Sequence, residues 1–153
     1  MSEREFIMQM RPWIGDEERQ AIDSYMQEDG FLTEFKNTKK FEDAIAKFTG
    51  SKHCIVVNNG TISLTLAALA LDIKPGDEVI MPSFTFVSTA NAFVLRGATP
   101  VFVDICPETL NINPELIEAA ITVNTKAIVV VHYAGVSCAM NQILSIALSL
   151  IHI

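Results

Sequence analysis

From residue 54 onward, the chain alternates short apolar runs with helical patterns. The runs occupy residues 54–57, 78–81, 100–105 and 126–132. Their first residues lie 24, 22 and 26 positions apart, which leaves room for one crossover helix between consecutive strands. The runs are continuously apolar rather than alternating, which is typical of strands that helices cover on both faces. The sequence therefore predicts an α/β fold, a three-layer sandwich with a mainly parallel sheet.

Two helices are predicted ahead of the first strand. Residues 17–29 carry apolar residues on one face and end at Gly30. An irregular passage over residues 31–37 follows. A second apolar stripe with helical spacing lies between Thr38, its predicted N-cap, and Gly50. Between the strands, helices are predicted over residues 61–71, up to Arg96 and from Asn113.

The charge balance argues against one class of binding partner. Lys and Arg together number 11 against 18 Asp and Glu, which gives a formal net charge of −7. Proteins that bind nucleic acid concentrate positive charge on one face, so we expect no nucleic-acid partner. Half of the residues are hydrophobic and 19% are charged, a composition typical of a folded domain.

Cysteine spacing and the lengths of the apolar runs indicate the cellular compartment of the protein. The three cysteines form no CxxC pair, so we expect neither a zinc site nor a disulfide framework. The first ten residues lack the apolar core of a secretory signal. The longest uncharged apolar stretch, residues 143–153, is shorter than the roughly 18 residues needed to span a bilayer. We expect a cytoplasmic protein with no metal site and no membrane partner.

A small polar turn, NNGTIS at residues 58–63, follows the first predicted strand and opens into a helix. Ligands of open parallel sheets bind beyond the carboxyl ends of the strands, where this turn is predicted to lie. A helix start presents backbone amides to an anion, and Thr61 and Ser63 add hydroxyl donors. The turn predicts a phosphate site. The alternative is a simple capping turn, with Asn59 or Thr61 as the N-cap.

Three other strand ends carry candidate ligand contacts. Phe84 and Phe86 follow the second strand, where an aromatic ring can stack on a flat cofactor or pack in the core. His132 ends the fourth strand, either as a substrate contact or as a structural histidine. Asp104 ends the third strand, as a ribose or hydroxyl acceptor or as a loop cap. No P-loop, GxGxxG, GxSxG or HExxH occurs, so nucleotide hydrolysis, simple dinucleotide binding and zinc proteolysis lack support.

Seven segments, taken in order, resemble one family. They are NGTISL at 59–64, KPGDEVI at 74–80, PSFTFVSTAN at 82–91, GATPVFVD at 97–104, NINP at 111–114, IEAAIT at 117–122 and VHYAG at 131–135. Their order and spacing are similar to those of the DegT/DnrJ/EryC1/StrS group of sugar aminotransferases, which depend on pyridoxal 5'-phosphate (PLP). The resemblance covers residues 11–147. It identifies the chain as an N-terminal fragment of such an enzyme, with a truncated fold-type-I transferase large domain.

The resemblance implies a homodimeric enzyme that moves an amino group, usually from glutamate, to the keto carbon of a nucleotide-linked deoxysugar. It also implies that the turn at Gly60, Thr61 and Ile62 holds the PLP phosphate, through the Thr61 hydroxyl and backbone amides near Ile62. Phe86 matches the aromatic residue that stacks on the pyridine ring. Ile62 and Asn59 depart from the alanine and serine common at these positions, and these departures leave the phosphate site in place.

Three groups of the family lie downstream of the fourth strand and have no counterpart in this chain. They are an acidic residue that pairs with the pyridine nitrogen, a Ser or Thr on the phosphate, and the lysine that forms the Schiff base. We therefore expect no catalytic residue in the chain and no turnover by the chain alone.

Residues 1–37 are predicted to form a helix and loop segment, and residues 38–147 are predicted to form the first part of the large domain. Residues 148–153 resemble the translated end of a sequencing adapter and are predicted to be a non-native tail.

Two alternative functions stay open at this point. Some members of the superfamily replace the lysine with histidine and dehydrate the sugar ring, and this chain does not contain the deciding position. The other alternative is a stand-alone α/β module that binds a phosphorylated ligand without catalysis.

Overall fold

A computed structural model of the chain describes residue 8, residues 10–28 and residues 36–149. Contacts between residues divide it into two compact units, with the boundary between Val56 and Val57. The described strands all belong to the second unit.

Helix α1, over Asp16–Met26, opens the first unit. It follows Gly15, whose backbone N–H donates to the Glu18 carboxylate at 2.6 Å. This hydrogen bond lowers the pKa of Glu18, because it stabilises the ionised form. The predicted first helix is confirmed and ends at Met26. The stop predicted at Gly30 and residues 31–35 of the predicted irregular passage lie outside the described residues.

Helix α2 covers Lys36–Thr49 and is followed by Gly50, which has a φ of +70°. The prediction that Thr38 is its N-cap is wrong, because Thr38 lies inside the helix. The apolar stripe does not mark the start, since the polar turn ahead of it is also helical. There, Lys39 donates to the Asp43 carboxylate at 2.8 Å, a pairing that favours helix and raises the pKa of Lys39.

Residues 54–57 form no ladder with any strand in the described part of the chain, so the strand predicted there is wrong for this structure. The Val56 N–H donates to the Glu42 carboxylate at 3.0 Å, and Ile55 is 78% exposed. An apolar run becomes a strand only when a neighbouring backbone accepts its hydrogen bonds, and here a helix side chain takes that place.

A parallel three-stranded sheet forms the centre of the second unit. Its strands are β1 over Glu78–Pro82, β2 over Thr99–Val103 and β3 over Thr125–Ile128, in the order β2-β1-β3. Its helices are α3 over Gly60–Ala70, α4 over Val87–Val94, α5 over Pro114–Ile117 and α6 over Met140–Ser149. Short 3₁₀ turns follow α5 at Glu118–Ala120 and lie at Tyr133–Gly135.

Strand β1 is buried on both faces. Val79 and Met81 pack in a cluster with Phe93 of α4, whereas Ile80 packs in a second cluster with Ile117 of α5. Successive residues of a strand point to opposite faces, so the two clusters lie on opposite sides of the sheet. The predicted α/β fold with a parallel sheet between helical layers is confirmed.

Two predicted strands are shorter in the structure. The run at 100–105 ends as a strand at Val103, after which Ile105 makes an isolated antiparallel bridge with Ile112. The run at 126–132 ends as a strand at Ile128, although Val129 N–H still donates to the Ile80 carbonyl at 2.8 Å. The residues beyond Val129 turn toward the 3₁₀ turn and stay apolar because the clusters bury some of them.

Candidate cofactor site

The loops that follow β1 and β2 are joined at the carboxyl edge of the sheet. Ser83 N–H donates to the Val103 carbonyl at 2.8 Å, and the Ser83 hydroxyl donates to the Asp104 carboxylate at 3.3 Å. Asp104 is exposed and is bonded to the neighbouring loop, which agrees with its predicted role as a loop cap. These hydrogen bonds fix the backbone of both loops at the edge where ligands of open parallel sheets bind.

Asn59 caps the start of α3. Its side-chain oxygen accepts from the Ile62 N–H at 3.0 Å, and its carbonyl accepts from the Ser63 N–H at 3.3 Å. Asn59, and not Thr61, is thus the N-cap. The Ile62 amide is occupied by this cap, while the first helical amides, those of Gly60 and Thr61, have no carbonyl acceptor within the helix. The helix start keeps the two donors that an anion needs.

Ser63 does not add a donor to this helix start, contrary to the prediction. Its hydroxyl donates to the Gly60 carbonyl at 2.7 Å. A serine three residues into a helix competes for backbone acceptors in this way, and the hydroxyl is then used within the helix.

Gly60 has neither a backbone nor a packing reason to be glycine. Its φ lies outside the left-handed region, and a Cβ built on it would meet no atom within 4 Å. A side chain at this position would extend into open space at the start of α3. A missing side chain beside free amides lets a ligand approach the backbone closely.

A hydroxyl pair joins the starts of α3 and α4. Thr61 Oγ1 and Ser88 Oγ are 2.9 Å apart, and Ser88 is the second residue of α4. Phe86 is the N-cap residue of the same helix and is 74% exposed. The turn at Thr61 and the ring of Phe86 are therefore connected through the start of α4.

Phe84 and Phe86 have different surroundings. The Phe84 ring packs against the ring of Tyr133, with centroids 4.9 Å apart and planes tilted by 45°. This contact agrees with the packing alternative for Phe84. Phe86 is the more exposed of the two rings and is the one with a free face for stacking.

His132 lies at the start of the loop after β3 and is exposed. Its Nδ1 accepts from the Cys138 N–H at 3.0 Å, so the neutral ring carries its proton on Nε2. This bond gives His132 a structural role, closing the loop over residues 132–138. Its role as a substrate contact stays a prediction.

Asn111 is a residue of this edge that the sequence analysis missed. It is 3% exposed, its side-chain amide donates to the Val136 carbonyl at 3.0 Å, and its side-chain oxygen accepts from the Tyr133 N–H at 2.9 Å. The asparagine thus holds both ends of the 3₁₀ turn. The only signal in the sequence is a polar residue between apolar neighbours, and that pattern is too common to assign.

Cys138 is buried next to this loop, and burial raises the pKa of its thiol. The thiol donates to the Val131 carbonyl at 3.2 Å. A neutral, hydrogen-bonded thiol is a poor nucleophile, so the role of Cys138 is packing.

Within the described residues, no group of three or more His, Cys, Asp or Glu side chains is placed to hold a metal ion. The helices of the described ranges are too short or too polar to cross a membrane.

The parallel sheet with helices on both faces matches the fold of PLP-dependent aminotransferase structures. The aminotransferase from Psychrobacter cryohalolentis superposes with a TM-score of 0.84 at 38% identity, over 90% of this chain and 35% of that chain. GDP-4-keto-6-deoxymannose-3-dehydratase with a trapped PLP-glutamate geminal diamine superposes with a TM-score of 0.81 at 33% identity, over 87% of this chain and 36% of that chain.

The sequence profile of the DegT/DnrJ/EryC1/StrS aminotransferase family matches residues 12–150, and the chain belongs to that family. It is 47% identical to the spore coat polysaccharide biosynthesis protein SpsC of Bacillus subtilis, over 93% of this chain and 36% of SpsC. The chain thus spans about a third of the length of these relatives. PLP is the cofactor of the family.

Proposed function

We propose that the chain is the N-terminal part of a PLP-dependent enzyme that transfers an amino group from glutamate to a nucleotide-linked keto-deoxysugar. Family membership and the likeness to PLP-dependent structures support the reaction class. The proposed parent is a cytoplasmic homodimer. The 153-residue chain contributes part of the cofactor site and does not turn over by itself.

The hydroxyl pair between Thr61 and Ser88 is the observation that carries this proposal. It connects the start of α3 to the start of α4, whose N-cap residue is the exposed Phe86. In the proposal, the Gly60 and Thr61 amides and the Thr61 hydroxyl bind the cofactor phosphate, and Phe86 stacks on the ring. Hydrogen bonds to a charged phosphate are about twice as strong as neutral ones, so the turn anchors the cofactor.

Ile62 belongs to this turn, but its backbone amide is not a free donor for the phosphate. Its amide is capped by Asn59, and its side chain is exposed, so its bulk does not fill the helix start. The residues present therefore fit the phosphate and the ring of PLP. When bound, PLP supplies an electron-withdrawing ring that stabilises charge next to the amino group. The chain's own residues fix the phosphate and the plane of that ring.

The remaining parts of the proposed enzyme lie outside this chain. By family likeness they are a lysine, an acidic residue at the pyridine nitrogen and a further hydroxyl on the phosphate. We assign none of the chain's lysines to the first of these roles. His132 is proposed as a substrate contact through Nε2, because its Nδ1 is already bonded to Cys138 N–H.

Dehydration of the sugar is the second candidate function. A dehydratase structure matches this chain at 33% identity with a TM-score of 0.81, close to the aminotransferase value of 0.84. The two reactions share the part of the fold that this chain represents. The difference between them therefore depends on groups outside it.

Two experiments test the proposal. The first titrates the 153-residue chain with pyridoxamine 5'-phosphate, which has no aldehyde to react with surface lysines. We expect binding that Thr61→Ala weakens by about 1 to 3 kcal/mol, because a charge-assisted hydrogen bond is lost. Equal affinity of both proteins would contradict the phosphate site.

The second experiment uses the full-length product of the source gene with glutamate and nucleotide-linked keto-deoxysugars. We expect glutamate-dependent formation of an amino sugar, followed by mass spectrometry. Loss of water from the sugar without retained nitrogen would support the dehydratase instead. Binding of the cofactor with neither reaction would favour the non-catalytic module.

A further inference from the structure

Ser88 has a buried hydroxyl whose partner is the hydroxyl of the exposed Thr61. Ser88 is 8% exposed, and the two oxygens lie 2.9 Å apart. Each hydroxyl has one proton, and either oxygen can be the donor in this pair. The pair therefore has two possible directions in the absence of a ligand.

An anion at Thr61 fixes that direction. A phosphate dianion offers only acceptors, so Thr61 must direct its single proton to the phosphate. Thr61 Oγ1 then accepts, and Ser88 donates to it. The two hydrogen bonds would then form a chain from Ser88 through Thr61 to the phosphate, and hydrogen bonds arranged in a chain polarise one another.

We propose that Ser88 is a positioning residue for the cofactor phosphate. It does not touch the phosphate; it holds the Thr61 hydroxyl in the donating direction and in one rotamer. This inference rests on the proposed function, in which Thr61 binds that phosphate. Because Ser88 and Phe86 belong to the same helix start, α4 positions both the phosphate donor and the ring platform.

The test is a titration of the isotopically labelled 153-residue chain, followed by the amide signals of Gly60 and Thr61 in NMR spectra. Pyridoxamine 5'-phosphate and pyridoxamine are the two probes, since they differ only in the phosphate. We expect Ser88→Ala to weaken binding of the phosphorylated probe about three- to tenfold and to leave the other unchanged. In a Thr61→Ala background, Ser88→Ala should cause no further loss.

Thr89 offers a matched control. It is the next residue of α4, it is 5% exposed, and its hydroxyl pairs with Thr85 Oγ1 at 2.8 Å. Thr89→Val removes a buried hydroxyl from the same helix without touching Thr61. We expect unchanged affinity for both probes, whereas a general loosening of α4 would weaken binding in this variant as well.

The outcomes distinguish a failure of the Ser88 role from a failure of the proposed phosphate site. If Thr61→Ala weakens the phosphorylated probe and Ser88→Ala does not, the role of Ser88 is overturned and the phosphate site stands. If the unaltered chain binds both probes equally, both are overturned. Should Ser88→Ala lose its native spectrum, Ser88→Cys replaces the hydroxyl with a weak donor and is read in the same way, and Ser88→Thr should restore the affinity.

Discussion

At the scale of single residues, Phe86 is an aromatic side chain that the rest of the described structure leaves mostly uncovered. It is 74% exposed, so its removal leaves no cavity in the protein. We expect Phe86→Ala to weaken binding of pyridoxamine 5'-phosphate by about 1 kcal/mol, the value typical of an aromatic pair, and to leave the free energy of unfolding unchanged. Calorimetric titration and urea unfolding measure the two quantities.

Phe84→Ala is the control for the stacking prediction. The Phe84 ring packs on Tyr133, so its loss should lower the free energy of unfolding and affect the cofactor less. If the two variants have the opposite pattern, Phe84 and not Phe86 is the ring platform.

Gly60 permits a second prediction at this scale. A Cβ there meets nothing within 4 Å, and alanine is a better helix former than glycine, so Gly60→Ala should keep or slightly raise the thermal midpoint of unfolding. The same methyl group stands beside the amides proposed for the phosphate and should weaken the phosphorylated probe. Affinity equal to that of the unaltered chain would show that no ligand approaches the backbone at Gly60.

At the scale of elements, the loop after β3 depends on one buried side chain. Asn111 holds Tyr133 N–H and the Val136 carbonyl, next to two non-glycine residues with positive φ, Leu110 at 59° and Ala134 at 50°. Such conformations cost roughly 1 to 3 kcal/mol each and persist only where surrounding contacts enforce them. The hydrogen bonds of Asn111 are contacts of this kind.

We expect Asn111→Ala to lower the free energy of unfolding by about 1 to 3 kcal/mol, because two backbone groups lose their partner. Urea denaturation measures the change. Asn141→Ala, at an exposed position of α6, is the control and should stay within about 0.5 kcal/mol of the unaltered chain. A cost no larger at Asn111 than at Asn141 would mean that other contacts hold the turn.

Elements, more than tertiary partners, were predictable from the sequence. The apolar run at 78–81 became β1, because burial on two faces leaves a clear pattern. The run at 100–105 became the edge strand β2, in which Val103 is buried and Phe102 is exposed. The run at 54–57 has the same pattern but no ladder, since a strand also needs a neighbour and sequence spacing does not supply one. Likewise, the motif around Thr61 indicated a phosphate turn, but its bond to Ser88, 27 positions away, depends on how α3 and α4 pack.

At the scale of the whole molecule, the direction of the parallel strands fixes where the lysines of the second unit lie relative to the proposed site. The second unit contains two lysines, Lys74 and Lys126. Lys74 precedes β1 and pairs with Asp72 at 2.6 Å, and Lys126 is the second residue of β3. Both lie toward the amino ends of their strands. Ser83 and the proposed cofactor contacts lie at the opposite, carboxyl edge of the sheet. A strand of five residues spans about 16 Å, and this length separates the two lysines from those contacts.

The positions of Lys74 and Lys126 predict that neither lysine of the second unit supports enzymatic transamination by the 153-residue chain. With PLP and glutamate, the chain should form 2-oxoglutarate no faster than free PLP does, because neither lysine of the second unit can serve as the proton carrier at the carboxyl edge. The comparison is with a Lys74→Arg, Lys126→Arg double variant, which keeps both charges. A rate above the free-cofactor level that disappears in the double variant would place a working lysine at the site. The same assay on the full-length gene product should then exceed both, since the lysine proposed downstream restores the missing group.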